Sequence, residues 1–546
     1  TEIEKFIPLC STELQGEILG TLLHADIVHT FYLPKGKSTK AIEAVYRFPL
    51  PGDAAVLAVS VKLGAFVIET NIVPIDQAKE EYQQAVEENR QAALIQQEKA
   101  DVFTMNIAGI RAGETVEVTT SFVQLAERNA KGWRIRVPLT IAPKYTRYDE
   151  ENANRKNPLA IAIDPGHRFS LALDASGIHG VSSQTHALGI AEAGEESHIC
   201  LREGTVIPDR DFVLDWVTGG TSMEDAFSVV GHYDPQQQEL HALLTVTPPL
   251  TGETHDRELI LMVDLSGSMS GEKWKAAETV VRNCLKQMKP SEYFNLVLFN
   301  ESSYRFRWRS VPATTENIET AVMFLEKAPY GGTELGVALE KVLRMKRADC
   351  QLCANILLIT DAQVTDEDRI LFLVDEETLA DCPRKISIIC IDSAPNSFFA
   401  KEIARRGNGF CEFVCSGGEG GDLAASIEKA MEAISRPSWQ NVSLLVDKPE
   451  VWSTEVVLER TEHTLIHLGD LIPGRSKNIP VSLRTAKAVL FTFEDGEGKT
   501  LGKVVFRPET DRSLAGIRAL VGGCRVRLLE SLYNNTYMGD EVAPSY

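Results

Sequence analysis

The chain has 546 residues and a formal net charge of −21. That length is too great for one hydrophobic core and predicts about three or four domains. A hydrophobic content of 44% with 24% charged residues is ordinary for globular proteins and excludes a disordered or collagen-like chain. Negative charge of this size repels nucleic-acid phosphates and anionic membranes, and no apolar run is long enough to cross a bilayer. Nucleic-acid binding and membrane insertion are therefore not expected.

Cysteine usage predicts the compartment. Ten cysteines are too few for a disulfide scaffold in a chain of this length. Cys284, Cys390 and Cys411 fall within apolar strand or helix patterns, where a thiol acts as a small core side chain. Cys350 and Cys353 resemble half of a zinc site, but structural thiols are the favoured interpretation. No signal peptide is visible, so a cytoplasmic protein is expected, with secretion after removal of a leader as the alternative.

Residues 1–149 have mainly the pattern of β-strands, with apolar and polar residues alternating in segments such as 16–33 and 41–51. The stretch 78–97, rich in Glu, Gln, Lys and Ala, predicts a solvated helix. These patterns together indicate a β-sandwich with one inserted helix. Residues 150–256 continue as short alternating strands, separated by clusters of Gly, Asp and Pro, and predict a second β-rich segment.

From residue 257 to residue 436 apolar strands alternate with amphipathic helices. Nearly continuous apolar strands are typical of a sheet covered on both faces, so a doubly wound (Rossmann-like), mostly parallel α/β domain is predicted. Strands return over 437–507, and 508–546 form a predicted helical C-terminal segment. The β-rich segments 150–256 and 437–507 flank the α/β domain and are expected to pair into one composite sandwich. The chain is thus predicted to be multidomain.

The candidate site begins with Asp264, Ser266 and Ser268, which follow the first strand of the α/β domain and precede a helix. Thr333 opens a later helix, and Asp361 ends a later strand. Ligands in open α/β sheets bind beyond the carboxyl ends of the strands, so we expect these five side chains to converge at one edge. Carboxylate and hydroxyl oxygens suit a hard cation such as Mg²⁺. If hydroxyls fill the inner positions, the cation keeps its charge and gains from a carboxylate on another molecule.

Asp-x-Ser-x-Ser, a Thr after Gly-Gly and a later Thr-Asp resemble the metal-ion-dependent adhesion site of von Willebrand A domains. The resemblance implies that a partner's Asp or Glu completes the coordination of a Mg²⁺ ion, with Mn²⁺ or Ca²⁺ as alternatives. The implied ligands are Asp264, Ser266, Ser268, Thr333 and Asp361. Ala362 departs from the family pattern, in which a Gly often follows the Asp.

The N-terminal region resembles a narrower family. Segments 46–51, 79–88, 100–118 and 142–145 are similar to the VIT domain, the vault protein/inter-alpha-trypsin inhibitor module. A VIT domain followed by an A domain resembles inter-alpha-trypsin inhibitor heavy chains, the vault-associated poly(ADP-ribose) polymerase and a group of intracellular VIT/A-domain proteins. No ADP-ribosyltransferase signature is visible in the sequence.

Three functions are compatible with these features. The favoured one is a cation-dependent protein-binding or scaffold protein. The second is a structural subunit of a large, vault-like particle whose A domain packs without using its metal. The third, a metal-dependent enzyme, is not expected. Metal-assisted hydrolysis would need a general base, or a metal-held hydroxide with carboxylate or His side chains bound directly to the metal, and no His lies in the three site loops. At the level of residues, two alternatives remain: the serines only cap a helix, and the acidic run 366–368 extends the site rather than starting a helix.

Overall fold

The computed structural model describes most of the chain, in two compact units. The first unit holds residues 9–127, 132–140 and 166–218 where described, and the second holds the described residues from 226 onward. No helix in these parts of the chain combines the length and apolar character that a membrane span requires. The described residues are 9–36, 41–70, 73–88, 90–99, 101–129, 132–140, 166–194, 196–218, 226–249, 256–325, 331, 334–362, 364, 366–391, 396–414, 439–459, 461–511 and 514–539.

The first unit is built almost entirely of strands. They form an eight-stranded sheet in the order β13-β14-β11-β1-β2-β8-β4-β5, a four-stranded sheet β12-β15-β10-β9 and a three-stranded sheet β3-β7-β6. The bounds are β1 (Leu9–Leu19), β2 (Leu22–Tyr32), β3 (Ile42–Pro49), β4 (Ala55–Leu63), β5 (Phe66–Glu69), α1 (Ile75–Glu87), β6 (Ala92–Lys99), β7 (Val102–Ile110), β8 (Thr115–Leu125), β9 (Glu127–Asn129), β10 (Gly132–Val137), β11 (Arg168–Ser176), β12 (Ile178–Ser182), β13 (Leu188–Ala193), β14 (Glu196–Leu201) and β15 (Phe212–Thr218). One hydrophobic core, including Leu14, Phe122, Phe169 and Trp216, connects these sheets.

The helix predicted over 78–97 is wrong in its second half. Helix α1 ends at Glu87, and Ala92–Lys99 is strand β6, paired antiparallel with β7. The segment has the composition of a helix, but pairing with β7 supplies hydrogen bonds along its length and buries Leu94. Tertiary pairing thus overrides local propensity here.

Strands β11–β15 belong with the N-terminal strands. β11 pairs in parallel with β1, from Ser11 opposite Arg168 to Leu19 opposite Ser176, and β15 pairs antiparallel with β10. The segment 150–256, expected to enter the composite sandwich as a whole, is therefore divided between the two units. Alternating burial indicates which face of a strand is apolar, but not which strand lies beside it.

The second unit contains an α/β domain. Its elements are β18 (Arg257–Asp264), a 3₁₀ turn (Gly267–Met269), α2 (Glu272–Lys286), β19 (Tyr293–Phe299), β20 (Ser303–Arg305), β21 (Val311–Pro312), α3 (Thr315–Leu325), α4 (Leu335–Leu343), β22 (Cys353–Thr360), α5 (Glu367–Thr378), β23 (Lys385–Ile391), α6 (Ser397–Arg406) and β24 (Asn408–Val414). The sheet order is β20-β19-β18-β22-β23-β24, with β21 beside β19, and the pairs from β19 to β24 are parallel. Successive β18 residues enter different cores, Leu261 on one face and Met262 on the other. The predicted doubly wound sheet is confirmed.

A β-sandwich completes the second unit. Its strands are β16 (Phe227–Asp234), β17 (Glu239–Val246), β25 (Trp439–Val446), β26 (Trp452–Ser453), β27 (Val456–Glu459), β28 (Thr464–Leu471), β29 (Lys477–Arg484), β30 (Val489–Glu494) and β31 (Thr500–Phe506), followed by helix α7 (Ala515–Gly539). The sheets β16-β17-β29-β26 and β27-β28-β25-β30-β31 share one core that includes Leu244 and Phe491. Strands on both sides of the α/β domain in sequence therefore meet in one sandwich.

A buried ion pair in the first unit tests the assignment of residues 166–218 to it. Nη1 of Arg136 in β10 lies 3.1 Å from Oδ2 of Asp211, just before β15, and the two side chains are 3% and 2% exposed. Asp211→Ala leaves the guanidinium buried without its carboxylate, so we expect the free energy of unfolding to fall by about 3–5 kcal/mol. Urea unfolding followed by tryptophan fluorescence measures this change.

The matched control is Asp209→Ala, two positions away, whose pair with Arg210 is largely exposed. We expect that change to cost less than about 1 kcal/mol. Equal effects of the two substitutions would contradict the assignment.

Candidate metal centre

Two carboxylates lie at the carboxyl edge of the α/β sheet. Asp264 is the last residue of β18, and Asp361 directly follows β22. These strands are parallel neighbours, and strand order reverses here because β19 lies on the other side of β18. Both side chains are buried, with 0% and 1% exposure, so water solvates neither carboxylate freely. The structure thus brings these two predicted residues to the edge where open sheets bind ligands.

The two predicted serines lie in the turn after β18. The Oγ atoms of Ser266 and Ser268 are 2.9 Å apart, so both hydroxyls face one point. Ser266 is 1% exposed and Ser268 is partly exposed. The turn continues as the short 3₁₀ segment and then enters α2 at Glu272. Neither serine side chain caps the start of the 3₁₀ turn or of α2 with a hydrogen bond, so helix capping does not account for them.

Thr333, the fifth predicted ligand, lies outside the described residues. Two positions before it, Gly331 forms a parallel bridge with Ser266. The Gly267 N–H donates to the Gly331 carbonyl at 3.0 Å, and the Gly331 N–H donates to the Leu265 carbonyl at 3.2 Å. The third predicted segment is therefore hydrogen-bonded to the serine turn up to this residue.

Hydrogen bonds hold the Asp264 carboxylate in place. The Ser266 N–H donates to Oδ1 at 2.8 Å, and the Thr360 hydroxyl donates to Oδ2 at 2.7 Å. Burial first, and then the charge of Asp361, raise the pKa of the Asp264 carboxyl from 3.8 to about 7, although these hydrogen bonds lower it. A cation in this place would relieve both causes of the shift.

Lys273 is part of the site, although no sequence signal distinguished it from the other lysines of an amphipathic helix. Its Nζ lies 3.2 Å from Oδ2 of Asp361, and its side chain is 17% exposed. This carboxylate oxygen is therefore already paired with a positive charge in the folded chain. Thr360, also outside the predicted ligand set, positions Asp264 rather than replacing a ligand.

The Ala that replaces the family's Gly keeps the loop in a glycine-like conformation. Ala362 has φ of 59°, in the left-handed region, and is fully buried. Its N–H donates to the Thr360 hydroxyl at 3.1 Å, which ties the loop after β22 to the residue that holds Asp264.

The acidic run 366–368 starts helix α5, with Glu367 and Asp368 in its first turn. The helix-start interpretation of that run is confirmed.

The donor set suits a hard divalent cation. Two buried carboxylates and two neighbouring hydroxyls supply only oxygen, which Mg²⁺ prefers. Among the residues that the structure describes, no group of three or more His, Cys, Asp and Glu side chains could hold a metal. A cation bound here would thus depend on hydroxyls as well as carboxylates, and the residues present fit Mg²⁺ better than zinc.

Two family models match the chain. The vault protein inter-alpha-trypsin domain matches residues 9–122, and the von Willebrand factor type A domain matches residues 257–413. The chain is therefore a multidomain protein that carries a VIT domain and a von Willebrand A domain. This confirms the resemblance seen in the sequence.

Several longer proteins are similar to the chain. Protein mono-ADP-ribosyltransferase PARP4 of Homo sapiens is 24% identical over 451 residues, which is 80% of this chain and 25% of that protein. Von Willebrand factor A domain-containing protein 5A of Rattus norvegicus is 23% identical, covering 73% of this chain and 52% of that protein. Inter-alpha-trypsin inhibitor heavy chain H3 of Pongo abelii is 20% identical, with 85% and 52% covered. The chain thus spans between a quarter and about half of these relatives.

Among solved structures, a von Willebrand factor type A protein from Catenulispora acidiphila aligns with a TM-score of 0.40 at 15% identity, covering 51% of this chain and 72% of that one. The ArnB paralog VWA2 of Sulfolobus acidocaldarius aligns with a TM-score of 0.31, also at 15% identity, with 58% and 86% covered.

The first prediction for this site concerns stability. Mg²⁺ at about 100 times its Kd adds about 2.7 kcal/mol to the stability of the unit that binds it, so Tm rises. Asp264→Asn should abolish the rise, because the amide supplies no charge. Differential scanning fluorimetry with Mg²⁺ or EDTA measures the shift. Asp368→Asn, an exposed acid in the first turn of α5, is the control and should keep it.

The same shift should depend on pH. Because the folded-state pKa of Asp264 is raised, the metal-free fold loses stability as pH rises from about 4 to about 7, whereas the protonated carboxyl at low pH binds metal poorly. Both effects make the Mg²⁺-induced rise in Tm larger near pH 8 than near pH 6, which lie about one pH unit either side of the raised pKa. An equal shift at both would contradict the assignment of Asp264 as a ligand.

A further prediction for this site concerns Lys273. Lys273→Met removes a positive charge next to the proposed cation, so Mg²⁺ should bind about tenfold more tightly, roughly 1.4 kcal/mol. The same change should lower the Tm of the metal-free protein, because Asp361 loses the ion pair with Lys273. Isothermal titration calorimetry gives the affinity, with Lys275→Met on the exposed side of α2 as the control. Weaker binding by Lys273→Met would refute this role.

Proposed function

We propose that the chain is a cation-dependent protein-binding or scaffold protein. In this proposal its A domain holds Mg²⁺, with Mn²⁺ or Ca²⁺ as alternatives, and a protein partner supplies an Asp or Glu carboxylate to the ion. The proposed ligands are those predicted from the sequence: Asp264, Ser266, Ser268, Thr333 and Asp361.

The observation that carries the proposal is the meeting of two buried carboxylates and two hydroxyls at one sheet edge. Hydroxyl ligands bring no charge, and Lys273 already offsets the charge of Asp361. The ion would therefore retain much of its positive charge toward the opening of the site. A carboxylate from another molecule is the ligand that such an ion favours most.

The residues of the site have distinct parts in this proposal. Asp264 orients the serine turn through the Ser266 N–H, and Thr360 fixes the carboxylate from the neighbouring strand. The bound ion would supply an electrophilic centre for the partner's carboxylate. Ser268 is the more exposed of the two serines.

The relatives support an interaction role more than catalysis. They include an inter-alpha-trypsin inhibitor heavy chain and a von Willebrand factor A domain-containing protein. The match to a mono-ADP-ribosyltransferase spans only 25% of that protein, so we do not extend its activity to this chain. We also propose a cytoplasmic location, supported by the sparse cysteine content of the sequence.

Affinity capture with a defined second step tests the function. The full chain is immobilised with Mg²⁺, and bound proteins are compared with those held by Asp264→Asn and by the Asp368→Asn control. A partner lost from Asp264→Asn alone is then purified, and its interface Asp and Glu residues are changed singly to Asn and Gln. The proposal expects one such change to abolish Mg²⁺-dependent binding to the wild-type chain.

Other outcomes favour the other functions. Partners that remain bound in EDTA and to Asp264→Asn would favour a structural subunit of a large particle. Turnover of an ester or phosphate substrate that requires Asp264 would favour a metal-dependent enzyme. Either result would overturn the binding function proposed for the metal centre.

A further inference from the structure

A pair of cysteines lies at the edge of the α/β sheet opposite the metal centre. Cys350 precedes β22, and Cys382 precedes β23, so both lie at the amino ends of parallel strands. One guanidinium group joins the two loops, although they lie far apart in the sequence: Nη1 of Arg347 donates to the Cys382 carbonyl, and Nη2 lies 3.4 Å from the carbonyl of Asp349, the residue before Cys350. Two separate loops of the sheet edge thus bring two cysteines with free thiols to the same guanidinium group.

Arg347 holds these two loops together. Its Nη1 donates to the Cys382 carbonyl at 2.7 Å, and its Nη2 donates to the Leu352 carbonyl at 2.7 Å. Its Nε lies 2.9 Å from Oε2 of Glu258, which is fully buried, so the guanidinium is fixed to the sheet by a charge pair. The proximity of the two loops that carry the cysteines therefore rests on a rigid support.

The surroundings of the two thiols differ. Cys350 is exposed, so a dissolved oxidant reaches it, whereas Cys382 is half-buried. Hydrogen bonding to Cys350 and burial raise the pKa of the Cys382 thiol, while the charge of Arg347 lowers it. The exposed thiol suits the role of first attacker, and the sheltered thiol beside it suits the resolving role.

Cys353 is the competing partner for Cys350, and the structure disfavours it. It is the first residue of β22, where pairing with Arg257 of β18 fixes its backbone. Its Sγ accepts a hydrogen bond from Nδ2 of Asn355 at 3.8 Å. Cys350 and Cys353 are both exposed rather than core thiols, which corrects the favoured interpretation of this pair as structural.

We propose that Cys350 and Cys382 are a redox-active pair that forms a reversible disulfide by exchange with a small-molecule disulfide such as oxidised glutathione. The Cys350 thiolate attacks one glutathione sulfur and releases one glutathione thiolate. The Cys382 thiolate then attacks Sγ of Cys350 and releases the second. Two protein thiols are oxidised, one glutathione disulfide is reduced, and the two protons pass to the released glutathione thiolates.

The disulfide would enclose residues 351–381, a segment that contains β22, Asp361 and α5. A cross-link over a segment of this length constrains the unfolded chain and so stabilises the fold. Oxidation should therefore raise the Tm of the protein without requiring any metal.

Peptide mapping of the full chain tests the pair directly. The reduced protein is incubated in glutathione buffers of increasing oxidised fraction, quenched by alkylation and digested for mass spectrometry. We expect a linked Cys350–Cys382 peptide that disappears with dithiothreitol. A link from Cys350 to Cys353 instead, or a lasting glutathione adduct on Cys350 of the wild type, would overturn the proposal.

Three variants separate the roles of the thiols. Cys382→Ser should trap glutathione on Cys350 and lose the rise in Tm on oxidation. Cys350→Ser should form no internal link, and Cys353→Ser, the matched control, should form it as the wild type does. Loss of the link in Cys353→Ser would refute the assignment. All buffers for the peptide mapping contain EDTA, so the result does not depend on the proposed metal-dependent binding.

Discussion

The candidate site depends on the parallel pairing of β18 with β22. In that register Val263 lies opposite Ile359, so Asp264 lies beside Thr360 and Asp361 follows at the same edge. A slip of one residue would turn the Thr360 hydroxyl to the other face of the sheet and leave an oxygen of Asp264 without its donor. Apolar residues on both faces prevent such a slip, because the five apolar β18 side chains, from Leu259 to Val263, already fill one or the other of two cores. The sheet interior therefore sets the position of the polar edge.

The pairing also places the carboxylates of Asp264 and Asp361 close together, at an electrostatic cost that several contacts partly offset. Two carboxylates that are almost fully buried repel each other, and the raised pKa of Asp264 expresses that repulsion together with the loss of hydration. Local hydrogen bonds offset part of the cost, and Lys273 offsets another part at Asp361. The pKa of Asp264 stays raised, so these contacts do not offset the whole cost. That remainder is the physical reason to expect a cation, and it follows from this fold rather than from family likeness alone.

Much of this arrangement could be predicted from the sequence. Continuous apolar strands indicated a parallel sheet, and residues at strand ends indicated where Asp264 and Asp361 would meet. Other features depend on contacts that periodicity does not encode. Pairing of β11 with β1 joins residues more than a hundred positions apart, and Ala92–Lys99 forms a strand only because β7 lies beside it. Lys273 belongs to the site because of the direction of α2, which the spacing of charges along a helix does not specify.

Side-chain contacts hold the segment between Cys350 and Cys382 at both edges of the α/β sheet. At the carboxyl edge, Asp361 binds Lys273 of α2, and the Thr360 hydroxyl binds Asp264 of β18. At the amino edge, Arg347 joins the loops at its two ends and is anchored by Glu258 of β18. β18 thus touches both, with Asp264 at one end and Glu258 at the other. A cation at the first edge and a disulfide at the second would restrain the same strand and helix by unrelated chemistry, so each could stabilise this segment in the absence of the other.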